Sequence, residues 1–330
     1  MTATTLAALQ IGASPAGNDA TLDAILGFED AIRAAGASVV VLPEAVLGGY
    51  PKGESFDARI GYRLPTGRRR YGEYFRRAVD VPGPEVETLA GLARRTAASL
   101  VVGVVERSGA SLFCAALFID PEMGLIAKHR KLMPTAMERV IWSVGDGSTM
   151  PVVSSAAGRL GAAICWENYM PLFRSAMLAK GVDVWCAPTV DDRDMWQATM
   201  RHVACEGRCF VVSACQVQPP PTATTADAAG WEPDRMLIRG GSVIVGPLGD
   251  VLAGPLYEDS GLVVATIDPD DLAGARLDLD VSGHYSRPDI FTLIVDETPR
   301  SGIVFVGPPD TDQLQHPEAV AAQDGPDASC

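Results

Sequence analysis

The chain has 330 residues, 47% of them hydrophobic, which is ample for a packed core in one large domain or two. Its 41 acidic and 27 basic residues give a formal charge of −14, which argues against nucleic acid as the main partner. Seven irregularly spaced cysteines argue against a disulfide framework, no apolar run approaches a membrane span, and the first twenty residues lack a signal-peptide pattern. A soluble, cytoplasmic protein is therefore expected.

Thr4 to Ile11 reads as a strand. Thr21 to Ala35 carries Ile25, Phe28, Ile32 and Ala35 on one helical stripe, with Gly36 as a natural stop. Ser38 to Leu42 is a β-branched buried strand, and Pro43-Glu44 ends it, leaving Glu44 at a strand end. Tyr50 to Asp80 is polar and sets Arg63, Arg68, Arg69, Arg70, Arg76 and Arg77 among Tyr62, Tyr71, Tyr74 and Phe75. In so acidic a chain this stretch reads as a lid or a subunit contact in preference to a grip on single-stranded nucleic acid; a plain solvated loop is the remaining reading.

Pro84 opens a helix to about Ser99, with Val86, Leu89, Ala93 and Ala97 inward. Strands follow at Leu100 to Glu106, Leu112 to Asp120 and Leu125 to Lys131. On the last of these Ala127, His129 and Lys131 share one face, and Ile126, Lys128 and Arg130 the other. Leu132 to Met150 reads as a loop that holds Glu138.

Gly158 to Arg174 starts as a strand and ends as a helix, with Cys165 at the join and Pro171 suited to a first helical turn. A thiol there sits at the carboxyl edge of a sheet, where open α/β folds place ligands. The following amides and the positive helix end favour a thiolate, so the geometry suits a nucleophile. A small buried hydrophobe is the bland reading of the same cysteine.

Val182 to Ala187 is a strand, Met195 to Gly207 a helix and Cys209 to Cys215 a strand. Gln216 to Gly230, with its proline triplet, is a loop. Gly241 to Val245 and Val251 to Ala253 flank a Gly246-Pro247-Leu248-Gly249 hairpin, and Leu262 to Ile267 is a further strand. The tail from Gly307 is expected to be disordered. Strands and helices thus alternate twice, on either side of about residue 140, which predicts two sheets between helix layers.

A cysteine nucleophile needs a base and a cation or donor for the charge that develops, and Glu44 and Lys131 are suited to those roles. Each is also readable as a solvated strand end. Cys114, Cys186 and Cys215 lie in apolar strands and read as inert. His202, Cys205 and Cys209 mimic a metal site, but no paired cluster completes four ligands, so core packing is the better reading. His284 reads as an ordinary hydrogen-bonded histidine, with a place at the border of the site as the alternative.

The segments VVLPEAVLGGYPKG, KHRKLMPTAMERVIWSVGDGS and GAAICWENYMPLFR resemble the nitrilases of the carbon–nitrogen hydrolase superfamily. The resemblance runs from the first strand to about Phe291 and includes APT at Ala187 to Thr189, WQATMRH, EGRCFVVSACQ and GHYSRPD. It implies an α/β fold, a four-layer αββα sandwich, as one domain over 1–306 with a tail at 307–330. By resemblance Glu44 is the general base, Lys131 the cation, Cys165 the nucleophile and Glu138 a second glutamate of the site. Trp166, Tyr50, Thr189 and His129 are the candidate substrate-binding residues, His129 as a residue that orients the site. The implied activity is hydrolysis of a small-molecule nitrile to the acid and ammonia, with no metal or organic cofactor. An amidase or carbamoylase of the same superfamily, and a non-catalytic binding or filament-forming relative, are the rival readings. Homodimers that extend into spirals are implied too, with Tyr62 to Arg77 and Gln216 to Gly240 as candidate contacts.

Overall fold

The computed structural model describes residues 3–221 and 231–300. In chain order the first half holds β1 (Thr4–Gln10), α1 (Asn18–Leu26), α2 (Glu29–Ala35), β2 (Val39–Val41), the short ribbon β3 (Ala58–Arg59) and β4 (Tyr62–Arg63), and α3 (Pro65–Arg77). Then come β5 (Val79–Asp80), α4 (Pro84–Thr96), β6 (Ser99–Ser108), β7 (Ser111–Asp120) and β8 (Gly124–Arg130). The second half holds β9 (Val152–Ser155), β10 (Gly158–Ala162), α5 (Pro171–Ala179), β11 (Val184–Thr189), α6 (Asp194–Gly207), β12 (Phe210–Cys215) and β13 (Val217–Gln218). It ends with β14 (Ile238–Val245), β15 (Val251–Tyr257), β16 (Gly261–Ile267) and α7 (Asp271–Ala275).

The strands form two seven-stranded sheets. One runs β16-β1-β2-β6-β7-β8 with β5 beside β6; the other runs β13-β14-β12-β11-β10-β9 with β15 beside β14. Strand alternation sorts the side chains into layers. Leu6 and Ala8 of β1 point into a core shared with Leu160, Val184, Phe210 and Val212 of the other sheet. Ala7 and Leu9 point the other way, onto Leu22, Ile32, Leu89 and Leu92 of the outer helices. On the far side, Trp185, Val211 and Val243 pack under Phe173, Trp196, Met200 and Val203 of α5 and α6. The result is the expected four-layer αββα sandwich, in which each fully buried Leu or Phe contributes about 1.5–3 kcal/mol of transfer free energy.

Four details differ from the sequence reading. The helix expected over Thr21 to Ala35 is two helices, broken at Gly27 and Phe28, where Gly27 caps α1. The stretch from Tyr50 to Asp80 is not a loop: it contains the β3–β4 ribbon and the thirteen-residue α3, which starts at Pro65 and buries only Gly67 and Tyr74. Tyr71, Tyr74 and Phe75 give it a short aromatic stripe that packs on the core, but the arginines around them mask the period, and the proline at the first turn is the other local signal. The division near residue 140 is crossed by β16, which returns to the first sheet antiparallel to β1, with Thr4 opposite Ile267 and Gln10 opposite Gly261. Between Cys165 and the helix lies an unexpected short 3₁₀ turn, Cys165–Tyr169; α5 itself begins at Pro171, as its fixed φ suggested. The compact unit comprises Met1–Thr298, apart from Pro299–Cys330; the tail from Gly307 lies outside the described residues.

Candidate active site

Three strand ends meet between the sheets. Val39–Val41 of β2 pairs in parallel with both β1 and β6, and the chain then turns so that Glu44 is fully buried. Ala45 takes a left-handed φ of 50° in this turn. The turn lies so close to β6 that a Cβ on Gly103 would sit 2.2 Å from the Pro43 carbonyl oxygen and 2.5 Å from the Glu44 Cα. Glycine at 103 is therefore what lets the carboxylate turn approach the sheet. From the opposite sheet, Gln216 Nε2 donates to the Glu44 carbonyl oxygen over 2.7 Å.

Lys131 follows β8. Its main-chain N–H donates to the Cys114 carbonyl oxygen over 2.8 Å, and its side chain is fully buried. The alternation expected for β8 is seen: Arg130 and Lys128 pair with the buried Glu106 on one face, while His129 and Lys131 turn to the interior. Lys131 Nζ donates to Glu44 Oε1 over 2.7 Å and to Glu138 Oε2 over 2.9 Å. Glu138 is placed by a 3₁₀ turn, Ala136–Val140, and its Oε2 also accepts the Thr135 N–H at 2.6 Å. Tyr50 donates its hydroxyl to Glu138 Oε1 over 2.8 Å. Burial pushes the Tyr50 pKa up, so the phenol stays a donor.

Cys165 opens the turn after β10 with a left-handed φ of 51°, a strained conformation for a non-glycine residue, and is 3% exposed. Burial pushes its thiol pKa up, and the neighbouring Glu44 charge adds to this; Lys131 and the Thr189 side chain pull it down without overcoming the rise. The resting group is a neutral thiol. This corrects the expectation of a thiolate: the amides after Cys165 belong to the short turn and not to a long helix, and desolvation dominates. Glu44 is raised above the ordinary carboxylate range, first by burial and then by Glu138, against the lowering by Lys131. Burial opposes the charge on Lys131, but Glu44 and its other acidic neighbours outweigh it and hold the ammonium protonated.

The remaining predicted residues fall around this centre. Thr189 is fully buried, with its Oγ1 accepting the Asp191 N–H at 2.9 Å. The Trp166 indole is 42% exposed, donates to Asp191 Oδ2 over 2.9 Å and carries the Arg193 guanidinium 4.9 Å above its ring. Fully buried His129 directs Nδ1 to the Thr149 carbonyl oxygen at 2.6 Å and Nε2 to Glu167 Oε2 at 2.9 Å. Both partners accept, which calls for a proton on each ring nitrogen. Burial opposes that charge, but Glu167 and Thr149 outweigh it and raise the His129 pKa.

Sequence reasoning missed Glu167, Gln216 and Asp191. Glu167 accepts from the main-chain N–H groups of Leu132 and Ile164, each over 2.7 Å, so one buried carboxylate ties the Lys131 strand end to the Cys165 turn. Its signal was the position two residues after the nucleophile. Cys114, read as inert, instead touches the site: its thiol donates to Glu44 Oε1 over 3.6 Å. Trp185 and Trp196 belong to the outer core, whereas Trp142 is buried between the sheets near Lys131. The core packing expected for His202, Cys205 and Cys209 holds for fully buried Cys209 but not for His202, whose side chain is 63% exposed because it lies on the outer face of α6 beside Glu206. His284 is exposed. In the basic stretch Arg70 pairs with Glu54, with Nη2 3.0 Å from Oε1.

The carbon–nitrogen hydrolase family model matches residues 5–277, spanning both sheets and every residue of the centre. The chain belongs to this family. It lies in the nitrilase branch: it is 50% identical over 298 residues to an aliphatic nitrilase of Sinorhizobium fredii, covering 89% of this chain and 96% of that protein. It is 49% identical over 276 residues to a bifunctional nitrilase/nitrile hydratase of Nicotiana tabacum, covering 82% and 79%. Among solved structures, a carbon–nitrogen hydrolase superfamily protein of Xanthomonas campestris superposes with a TM-score of 0.68 at 18% identity, covering 90% of this chain and all of that one. That likeness speaks to the fold alone.

Proposed function

We propose that this carbon–nitrogen hydrolase is a nitrilase, which converts an organic nitrile and two waters to the carboxylic acid and ammonia through a covalent intermediate on Cys165. The observation that carries the chemistry is the buried chain Glu44–Lys131–Glu138 beside a thiol that is neutral at rest. A neutral thiol needs a base at the moment of attack, and Glu44 Oε2 is a buried oxygen with no hydrogen-bond partner among the described residues.

Glu44 takes the Cys165 proton as the sulfur bonds to the nitrile carbon. Charge grows on the nitrogen, which Lys131 and the Trp166 main-chain N–H stabilise until Glu44 passes it the proton taken from sulfur, giving the thioimidate and a free carboxylate again. Water, relieved of a proton by Glu44, adds to the same carbon; the amine is protonated and leaves as ammonia, and a thioester remains. A second water releases the acid and returns the proton to sulfur. Glu138 holds Lys131 in place while Tyr50 holds Glu138. A smaller amide product is part of the proposal, formed when the tetrahedral centre expels sulfur before ammonia leaves; the name of the tobacco relative, nitrilase/nitrile hydratase, supports it.

The protein is further proposed to act in the cytoplasm as a homodimer or larger, helical homo-oligomer, without nucleic-acid or membrane partners. Exposed Ile60, Tyr62 and Leu64 on and beside the β3–β4 ribbon support one contact at that insertion. No helix among the described residues is long and apolar enough to cross a membrane.

The test is ammonia release from a panel of aliphatic, aromatic and arylaliphatic nitriles by the parent and by Cys165→Ala. Release by the parent and none by the folded variant is expected. Equal release by both would overturn the mechanism, and no release from any nitrile would overturn the activity.

A further inference from the structure

The two oxygens of Glu44 are used unequally. Oε1 accepts the Lys131 ammonium at 2.7 Å and the Cys114 thiol at 3.6 Å, whereas Oε2 is also buried and has no hydrogen-bond partner among the described residues. A carboxylate can take a proton through either oxygen, and its orientation decides which one faces the reacting atoms. We propose that Cys114 is a positioning residue for the base, whose S–H holds Oε1 on the Lys131 side and leaves Oε2 to exchange protons with Cys165 and water. The inference rests on the reading of Glu44 as the general base.

Three observations support it. Cys114 lies on β7, where its carbonyl oxygen accepts the Lys131 main-chain N–H, so one residue touches the base with its side chain and anchors the cation with its backbone. It is 1% exposed, and burial pushes its thiol pKa well up, with the Glu44 charge adding to the rise, so the group stays an S–H donor at working pH. The titratable groups that face Glu44 are Lys131, Glu138, Cys165 and Cys114, with the Tyr50 phenol, held neutral by burial, beyond Glu138. Lys131 is already shared between two carboxylates, so it alone does not fix how the Glu44 carboxylate is turned. Simple packing as a small hydrophobe is the competing role for Cys114.

The experiment compares the parent with Cys114→Ser, which keeps a donor, and with Cys114→Ala and Cys114→Val, which do not. The readout is kcat and the pH profile of kcat/KM with butyronitrile, benzonitrile or phenylacetonitrile, whichever the parent turns over best. Ala and Val are expected to lose about three- to tenfold in kcat with little change in KM, and their acid limb to move to higher pH because the carboxylate has lost a donor. Ser is expected to keep kcat within about threefold of the parent, with the acid limb at the parent's pH or lower, because a hydroxyl is the stronger donor. Ser and Ala falling alike, or Ala and Val keeping the parent's kcat and acid limb, would overturn the proposal. Should Ala and Val lose a cooperative melt, Ser decides: a fall in kcat together with an acid limb at higher pH overturns it. A parent that turns over no nitrile refutes the nitrilase reading and not this one, which is then read on the matching amides, whose hydrolysis calls on the same base.

Discussion

Glu44 and Lys131 meet at 2.7 Å with neither side chain in contact with solvent. Such a pair adds little net stability, because desolvating both charges offsets their attraction, yet removing one partner leaves the other stranded. In this protein Lys131 is shared between two carboxylates, so its removal strands both and the asymmetry is large.

Lys131→Met should therefore abolish turnover and cost about 3–5 kcal/mol of stability. The loss should be greater at pH 8 than at pH 6, since burial already raises the Glu44 carboxyl and, with Lys131 gone, it escapes the repulsion by taking a proton. Thermal melts at the two pH values check this; a melt unchanged from the parent at both would refute it.

Cys165→Ala should fold with the parent's melting behaviour within about 1 kcal/mol, because a small buried residue replaces another of nearly its size. Turnover should disappear, since the attacking atom is gone. Circular dichroism with steady-state assays on one preparation is the check.

The His129–Glu167 pair makes a pH prediction. His129 holds its proton more tightly in the folded state, its pKa lying above the ordinary 6.5. Its contribution to stability is complete below that unfolded value and is lost as the pH rises through the folded pKa. The stability gap between the parent and His129→Asn should thus be widest in mild acid and narrow with increasing pH. Urea melts from pH 6 to 9 measure it, and a gap that widens with pH would contradict the pairing.

Gly103→Ala should damage the site from behind. The added Cβ meets main-chain atoms of Pro43 and Glu44 and not the end of a flexible side chain, so the backbone must move. A cost of about 1–3 kcal/mol is expected, with a fall in kcat larger than the folded fraction explains. An activity loss accounted for wholly by unfolding would show that the Glu44 turn tolerates the shift.

Glu44 and Cys165 were legible as strand ends because each follows an apolar run, whereas Lys131 closes an alternating strand whose last residues are charged, and its role rested on the resemblance to nitrilases. The layers were legible from apolar runs too, since Leu6 against Ala7 or Val101 against Val102 alternate between two cores. What stayed hidden depends on pairing at long range. Nothing near Cys114 signals Glu44, seventy residues away. Glu167 looks like a polar residue in a helix start until β8 and β10 bring Leu132 and Ile164 to it. The α3 helix was missed because arginines surround its short Tyr71, Tyr74 and Phe75 stripe, and the thiol was misjudged because burial is a property of the assembled sheets.

The most direct test of the nitrilase reading is kcat/KM for several nitriles and their matching amides, at one pH, with products identified by mass. A nitrile is linear with one acceptor nitrogen; an amide brings an oxygen to bind and an NH₂ group to satisfy. A buried site shaped for one leaves polar groups unpaired with the other, at about 1–3 kcal/mol per group. The nitriles should win across the matched pairs, with acid as the main product and a little amide that accumulates as a poor substrate. Faster hydrolysis of the amides across those pairs would make this protein an amidase and contradict the assignment.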